Sequence, residues 1–293
     1  MIDDRAVREW NFGEIVHAYT QRDTMLYALG IGMGMGMGAN ALDAGQLRFV
    51  YESQLQAVPT MAAVLGTPGF WWRDPRAGVD FVKVVHGEQR LQIFKPLPPA
   101  ATLVAHNKVL AITDKGSGKG AIVTISRTLI DQASKEVLAE GTSVSFLRGD
   151  GGFSDKSGVS DPAPESLPPV PEGAPDEVVE LASLEQQALI YRLSGDYNAL
   201  HADPDVAGKA GFERPILHGL CTYGMAAHAV LKAACAYDAR RLRGLAVRFT
   251  SPVFPGETVR FEMWRRGDAG LHLRARIPAR DVTVLNNGVV DLA

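Results

Sequence analysis

One short proline pattern occurs twice in this chain of 293 residues and constrains its fold more than any other feature. The pattern P-x-x-P-x-x-T-[LV] begins at Pro96 and again at Pro252. Residues 271–277 alternate apolar and polar side chains, as half-buried strands do. Each copy introduces β-prone segments, and a helical candidate precedes each set. The β-prone segments are 102–112, 120–130 and 137–147, then 258–265, 271–277 and 282–292, and the helical candidates are 60–65 and 220–236. The repeat therefore predicts two similar units, each with an antiparallel sheet and a helix.

A segment rich in Gly, Ser, Pro, Asp and Glu separates the two units, between residues 148 and 176. This composition excludes a regular helix or a central strand and is typical of a linker. We therefore divide the chain into an N-terminal repeat (1–150), a linker (151–175) and a C-terminal repeat (176–293).

Composition and charge exclude several classes of protein. Hydrophobic residues make up 46 % of the chain, the formal net charge is −3, and Lys and Arg form no run. Nucleic-acid binding therefore has little electrostatic support. The first residues lack a signal-peptide pattern, no apolar run approaches the roughly 20 residues that span a membrane, and the last residues are not a peroxisomal tripeptide. We expect no membrane partner and a cytoplasmic location.

The two cysteines also favour a reducing compartment. Cys221 and Cys235 lie in one predicted helix, where their separation of roughly 21 Å is too great for a disulfide. We expect both to be small apolar residues of that helix.

The chemistry of the chain is concentrated in residues 191–201. Asp196, Asn198 and His201 lie within six residues and follow a glycine, Gly195, that favours a turn. Fourteen residues after His201 begins the sequence Pro-Ile-Leu-His-Gly, which ends at Gly219 and precedes the predicted helix 220–236. The free N–H groups at a helix start form an anion site. An acid/base pair beside such a site suits chemistry alpha and beta to a carbonyl group.

These motifs resemble those of the hydratase 2 family, the MaoC-like (R)-specific enoyl-CoA hydratases, and above all the hydratase domain of peroxisomal multifunctional enzyme type 2. The resemblance covers nearly the whole chain, including residues 27–30, 49–52, 86–89, 95–98 and 114–118. It implies an α+β double hotdog fold, in which two repeats, each an antiparallel sheet wrapped round a central helix, pair as a pseudo-dimer. It also implies a (3R)-specific 2-enoyl-CoA hydratase, a hydro-lyase that needs no cofactor because the coenzyme A thioester is the substrate.

The resemblance assigns roles residue by residue. Asp196, Asn198 and His201 match the catalytic positions, and the N–H of Gly219 would donate to the thioester oxygen. Ala199 stands where many members have proline, which leaves the reacting groups intact. The family's ligand contacts fall on His86, Gly87, Lys115, Gly219 and Phe249, and two further positions linked to function fall on Tyr27 and Glu52.

Two other classes of function remain open at this stage. A hotdog acyl-CoA thioesterase would use a similar pocket, and a non-catalytic acyl-CoA-binding subunit would need no acid/base pair. No zinc-type spacing of His and Cys occurs, so we predict no metal. We expect an acyl-CoA as the partner and a homodimer in solution. Fatty acid, sterol side-chain and polyester-precursor metabolism all fit the sequence.

The first half lacks the acid/base residues. Aligning residues 27–30 with 191–194 places Gly32 opposite Asp196, and a Gly-Met tract follows. Residues 34–39 match a dinucleotide-loop fingerprint, but they lack its strand and helix context. We interpret the tract as a surface loop, or as methionines that line an acyl channel. We therefore expect one active site per chain, in the second half.

Overall fold

A single antiparallel sheet of ten strands organises the molecule. The computed structural model describes residues 1–36, 41–268 and 270–293, with only the backbone described for residues 41–43. The strands of the first half are β1 (Glu14–Tyr19), β2 (Val84–Ile93), β3 (Ala101–Asp114), β4 (Ala121–Asp131) and β5 (Val137–Leu147). Those of the second half are β6 (Glu177–Ala182), β7 (Leu242–Phe249), β8 (Thr258–Arg265), β9 (Gly270–Ile277) and β10 (Val282–Leu292).

The strand order shows that the two halves are copies of one unit. The order across the sheet is β1-β3-β4-β5-β2-β7-β10-β9-β8-β6. Reading inward from either edge gives the same sequence of equivalent strands, so the halves are related by a pseudo-twofold axis. The axis passes between β2 and β7, which pair antiparallel with Arg90 opposite Ala246. The expected pair of repeats in one continuous sheet is therefore confirmed.

The helices differ between the halves. They are α1 (Asp4–Arg8), α2 (Gln21–Gly30), α3 (Leu47–Val50), α4 (Ser154–Ser157), α5 (Gln187–Tyr191), α6 (Pro204–Lys209) and α7 (Gly219–Ala234). Helix α7 is the central helix of the second half, and its residues from Cys221 to Leu231 are all buried. Both cysteines are free and buried. No helix among the described residues is long and apolar enough to cross a membrane.

In the first half, the predicted helix at 60–65 is only a short 3-10 helix, Pro59–Ala63. Gly66 has a φ of +63°, and a Cβ atom there would lie 2.2 Å from the Cβ of Ala105. The backbone turns at Gly66 because only glycine fits this conformation against β3. The segment between Pro59 and Gly66 is therefore too short for a central helix like α7.

The predicted linker is hydrogen-bonded to the sheet. It holds one helical turn, α4, where no regular helix was expected. The carbonyl groups of Glu165 and Leu167 accept hydrogen bonds from Arg90 in β2 and Asn287 in β10. The side chain of Leu167 is 8 % exposed, so the segment is packed as well as bonded. The linker is a strap across both halves and not a loose tether.

The six strands predicted from alternation and the proline pattern are all present, within one or two residues of the expected ends. Four strands and helix α2 were not predicted. Of these, β2 contains Gly87 and three charged or imidazole side chains, and β7 contains two arginines and a glycine. These two strands join the halves and carry part of the site, so their polar residues obscure the usual strand pattern.

Candidate active site

Two tight turns hold the loop that carries Asp196, Asn198 and His201. Gly195 ends a 3-10 helix, Arg192–Ser194, with a φ of +116°. The Asp196 carboxylate then accepts a hydrogen bond from the backbone N–H of Asn198, with a distance of 3.1 Å. The Asn198 side-chain oxygen accepts from the N–H of Leu200 at 3.2 Å and caps the 3-10 helix Ala199–His201. The Asn198 oxygen is therefore used for structure, and only its amide nitrogen remains for orienting water.

The hydrogen bonds of His201 determine which ring nitrogen is available for chemistry. Its Nδ1 lies 2.8 Å from the carbonyl oxygen of Ile216, so Nδ1 carries the proton and donates. The Nε2 lone pair is then free to accept a proton. Burial lowers the pKa of His201 below its ordinary value, which keeps the ring neutral. A neutral imidazole with a free Nε2 is a general base.

The ring of His218 lies against the ring of His201. The two ring centroids are 3.7 Å apart, with the planes inclined by 28°. The Nε2 of His218 donates to the backbone carbonyl of Asp196 at 3.1 Å. Burial, and then the neighbouring His201, lower the pKa of His218 to about 3. His218 is therefore neutral, and it fixes both the imidazole of His201 and the backbone of Asp196.

The three residues form the one group of metal-ligand type among the residues that the structure describes. One side-chain ligand atom from each of Asp196, His201 and His218 lies within 4.8 Å of the others. The sequence spacing did not suggest this, because His218 comes from a separate segment. Hydrogen bonds already use one nitrogen of each ring. The buried Nδ1 of His218 has no partner among the described residues.

The start of α7 faces the same cluster. Helix α7 begins at Gly219, directly after His218. The backbone N–H groups of Gly219 and Leu220 have no acceptor among the described residues. A Cβ atom on Gly219 would lie 3.3 Å from Cε1 of Phe249, so glycine allows the aromatic ring to cover the helix start. An apolar cover and two free N–H groups suit a carbonyl oxygen that becomes negative during reaction.

The first half contributes His86 to the site. Its ring lies on that of Phe249, with centroids 4.8 Å apart, because β2 and β7 are neighbours. Burial lowers the pKa of His86 to about 4, and the nearby Asp196 charge partly opposes this. The register shift between His86 and Glu88 falls at Gly87. Nε2 of the His86 ring lies within hydrogen-bond distance of the Glu88 carbonyl oxygen. The structure therefore brings His86 and Gly87 together with Phe249 and the second-half loop.

The remaining predicted residues lie in different surroundings. Lys115 is exposed, and its Nζ lies 5.9 Å from the ring of Phe146, whose strand partner Val85 precedes His86. Tyr27 is fully buried; its hydroxyl donates to Thr60, and its ring lies 5.9 Å from Tyr191. Glu52 is exposed after α3, and no described hydrogen bond or ion pair joins it to the cluster.

Sequence reasoning missed two groups that shape the site. The Ile216 carbonyl sets the tautomer of His201, and Tyr191 places its ring 5.0 Å from His218. A backbone acceptor leaves no trace in a sequence. Tyr191 had a usable signal, because it aligns with Tyr27 across the repeat and the two rings meet near the pseudo-twofold axis.

Comparison with known proteins agrees with this geometry. The MaoC like domain matches residues 167–284, and the MFE-2 hydratase 2 N-terminal domain matches residues 17–149. Enoyl-CoA hydratase 2, peroxisomal, of Arabidopsis thaliana is 38 % identical over 95 % of this chain and 92 % of its own length. Mouse peroxisomal multifunctional enzyme type 2 is 36 % identical over 94 % of this chain, which spans only 36 % of that enzyme.

Solved structures give the class of fold. A MaoC-like dehydratase from Phytophthora capsici has a TM-score of 0.84 and 31 % identity, and covers 100 % of this chain and 99 % of its own. A Mycobacterium tuberculosis protein described as a double hotdog fold has a TM-score of 0.56 and 15 % identity, and covers 94 % of this chain and 93 % of its own. The fold is thus a double hotdog. The chain belongs to the MaoC-like hydratase 2 family.

Proposed function

We propose that this chain catalyses the reversible addition of water to trans-2-enoyl-CoA, giving (3R)-3-hydroxyacyl-CoA. The observation that carries the proposal is the cluster of Asp196, His201 and His218, in which His218 directly precedes Gly219 and the start of α7. The family includes enzymes named enoyl-CoA hydratase 2, and one relative covers nearly the same length. A hydro-lyase that acts on an acyl-CoA follows from both.

The reaction needs a base for the attacking water and an acid for the α-carbon. A water molecule held between the Asp196 carboxylate and Nε2 of His201 would add its oxygen to C3. The two side chains take one proton from this water and deliver a proton to C2, so that both hydrogens and the oxygen of the water are accounted for in the product. Since both groups lie on one side of the bound alkene, a single enantiomer of the product results.

Negative charge on the thioester oxygen needs a donor that is already in place. The N–H of Gly219, at the positive end of the α7 dipole, would supply it. Losing one such donor typically costs about 3–4 kcal/mol of transition-state stabilisation. Lys115 would meet a phosphate of coenzyme A, because its exposed ammonium group lies over Phe146, the strand partner of Val85, which directly precedes His86.

The substrate class, partners and location belong to the same proposal. We infer that no redox cofactor or metal takes part, because the proton transfers and the oxyanion contact account for the whole reaction. Dialysis against a chelator should therefore leave the hydration rate unchanged, and loss of activity that zinc restores would assign the cluster to a metal. We expect the protein to be a homodimer, to be located in the cytoplasm and to act in fatty acid metabolism.

One panel of measurements tests the function. Purified chain is given enoyl-CoAs of graded length and branching, and the loss of enoyl absorbance, the free thiol and the chirality of the product are followed. We expect loss of absorbance, no thiol and 3R product. Thiol release would indicate a thioesterase, predominantly 3S product would exclude this family's stereochemistry, and binding without turnover would indicate an acyl-CoA-binding subunit.

A further inference from the structure

One cavity reaches His201, the proposed catalytic histidine, from outside the proposed substrate site. Its volume is about 620 Å³, and its lining includes Glu185, Ala188, Leu189, His201, Arg214 and Pro215. Glu185, Leu189 and Arg214 are exposed, whereas Ala188 and His201 are buried. The cavity therefore leads from solvent at its charged end to the imidazole at its buried end.

This cavity is distinct from the region where the acyl-CoA is expected. All of its lining residues belong to the second half. None of His86, Phe249 and Gly219, the residues described around the start of α7, contributes to the lining. His201 therefore lines this cavity while its ring also stacks on His218 within the catalytic cluster.

The size and lining suit water. A water molecule occupies about 30 Å³ of liquid, so the cavity has room for a continuous chain of them. Apart from Leu189, its walls near His201 are small residues such as Ala188 and Pro215, and Glu185 and Arg214 offer polar contacts at the opening. Glu257, also in the lining, is held by an ion pair with Arg280, which keeps that side of the opening in place.

The proposed reaction creates a need for such a route. Hydration consumes a water molecule while acyl-CoA fills the substrate site, and the reverse reaction forms one beside bound enoyl-CoA. We propose that the cavity is a water channel, through which water reaches and leaves His201 while the acyl-CoA remains bound. This inference rests on the proposed hydratase function, and it names Leu189 and Glu185 as residues that control water access.

Isotope exchange tests the channel directly. The enzyme is incubated with (3R)-3-hydroxyacyl-CoA in H₂¹⁸O, with an enoyl-CoA reductase and NADPH in excess to consume any enoyl-CoA that leaves the site. Label that then enters the remaining hydroxyacyl-CoA comes only from enoyl-CoA that stayed bound while its water exchanged. We expect the wild-type enzyme to incorporate label under these conditions.

Variants at the opening locate the route. Leu189→Trp, alone and with Glu185→Trp, should lower the label incorporated per enoyl-CoA released, by about tenfold in the double variant, equivalent to about 1.4 kcal/mol on the barrier to exchange. Leu189→Ala should leave the ratio at or above the wild-type value. Leu193→Trp is the matched control, because Leu193 is 51 % exposed, Leu189 is 52 % exposed, and Leu193 lies outside the cavity lining.

The outcomes separate this inference from the proposed function. If the wild-type enzyme hydrates enoyl-CoA but incorporates no label with the trap present, water does not exchange independently and the channel is rejected. If label enters equally in Leu189→Trp and Leu193→Trp, water uses another route. If the tryptophan variants raise the KM for acyl-CoA without changing the label ratio, the cavity holds part of the substrate. A wild-type chain with no hydration at all would reject the function itself.

Discussion

The two halves of the molecule share a strand order and differ in what packs against the sheet. The second half has the 16-residue helix α7, whereas the first half has a 3-10 helix of five residues, Pro59–Ala63, at the corresponding place. The cross-strand pairs of the sheet also differ between the halves. In the second half, Met263 pairs with Leu273, and both are fully buried apolar residues. Their counterparts in the first half are the pair Asn107 and Arg127.

The polar pair compensates for the short helix. The Arg127 guanidinium donates to the carbonyl groups of Ala63 and Leu65 and to the side chain of Asn107. Asn107 donates in turn to the carbonyl of Gly66. A continuing helix would have satisfied these carbonyl groups within its own backbone. Where the helix stops, side-chain donors from the strands replace it.

The comparison shows how one repeat can lose its chemistry and still be needed. The first half has no counterpart of Asp196 among its described residues, yet it places His86 against Phe249 at the site. Its helix α2 also docks on the second half, because Gln187 donates to the carbonyl of Gly30 at 2.7 Å. The first half therefore supplies a wall of the site and a support for the catalytic half.

Separating the halves should have the largest effect on the hydration rate. We expect residues 1–150 to be inactive for lack of the acid/base pair. Residues 151–293 should be inactive or aggregation-prone, because β7 would become an unpaired edge and the contacts of α5 with α2 would be lost. The hydration rate and the soluble fraction of each fragment are the measurements.

Co-expression of the two fragments is the control for the cut. It should restore activity, because the strap stays on the second fragment and can still bond Arg90 through Glu165. A soluble second half that works alone at the full rate would contradict the interdependence of the halves.

Changing the acid/base pair should give the next largest effect. Asp196→Asn and His201→Ala should each lower kcat by at least about 10²-fold, the low end for general acid–base catalysis. Folding should be nearly unchanged, since both groups face the site. Asp203→Asn is the matched control: Asp203 is an exposed carboxylate in the same segment, and it caps α6. Near-native turnover of either variant, with normal circular dichroism, would remove that residue from the mechanism.

The sequence predicts the repeated strands, helix α7 and the acid/base motif, because these depend on local patterns. The six predicted strands alternate or follow the proline pattern, and Gly219 directly precedes the apolar run of α7. The contribution of His218 and the roles of Ile216 and Arg127 are not predictable in this way. They depend on ring stacking, a backbone acceptor and a helix that stops early, all of which join segments distant in the chain.

Arg127 offers a way to test the account of the first half. Arg127→Leu copies the residue at the equivalent position of the second half, but leaves the carbonyl groups of Ala63 and Leu65 without donors. At about 1–3 kcal/mol for each unsatisfied buried group, the free energy of unfolding should fall by about 2–6 kcal/mol in urea titrations. Leu273→Met, the apolar control in the second half, should cost less than about 1.5 kcal/mol. Wild-type stability for Arg127→Leu would show that these carbonyl groups do not need the guanidinium.

The pH dependence of stability should show a smaller, graded effect. Burial lowers the pKa of His86 to about 4 and of His218 to about 3, and it also lowers that of His201. An unfolded imidazole takes up a proton as the pH falls through about 6.5, whereas the folded rings take it up at lower pH, so the unfolded state binds more protons. The free energy of unfolding should therefore decrease from about pH 6 to about pH 4, by about 1.4 kcal/mol per pH unit for each of the two rings of His86 and His218.

Single substitutions assign this slope to one half or the other. His86→Gln removes one titrating ring from the first half and keeps a donor for the Glu88 carbonyl, so the slope between pH 6 and 4 should fall by one proton's contribution. His106→Gln is the control for the substitution itself, because His106 is an exposed histidine of the first half, on β3. Equal slopes for the His86 variant and the wild-type enzyme would show that His86 is not held neutral by burial. The wall that the first half gives to the site would then be more hydrated than the packing of His86 on Phe249 indicates.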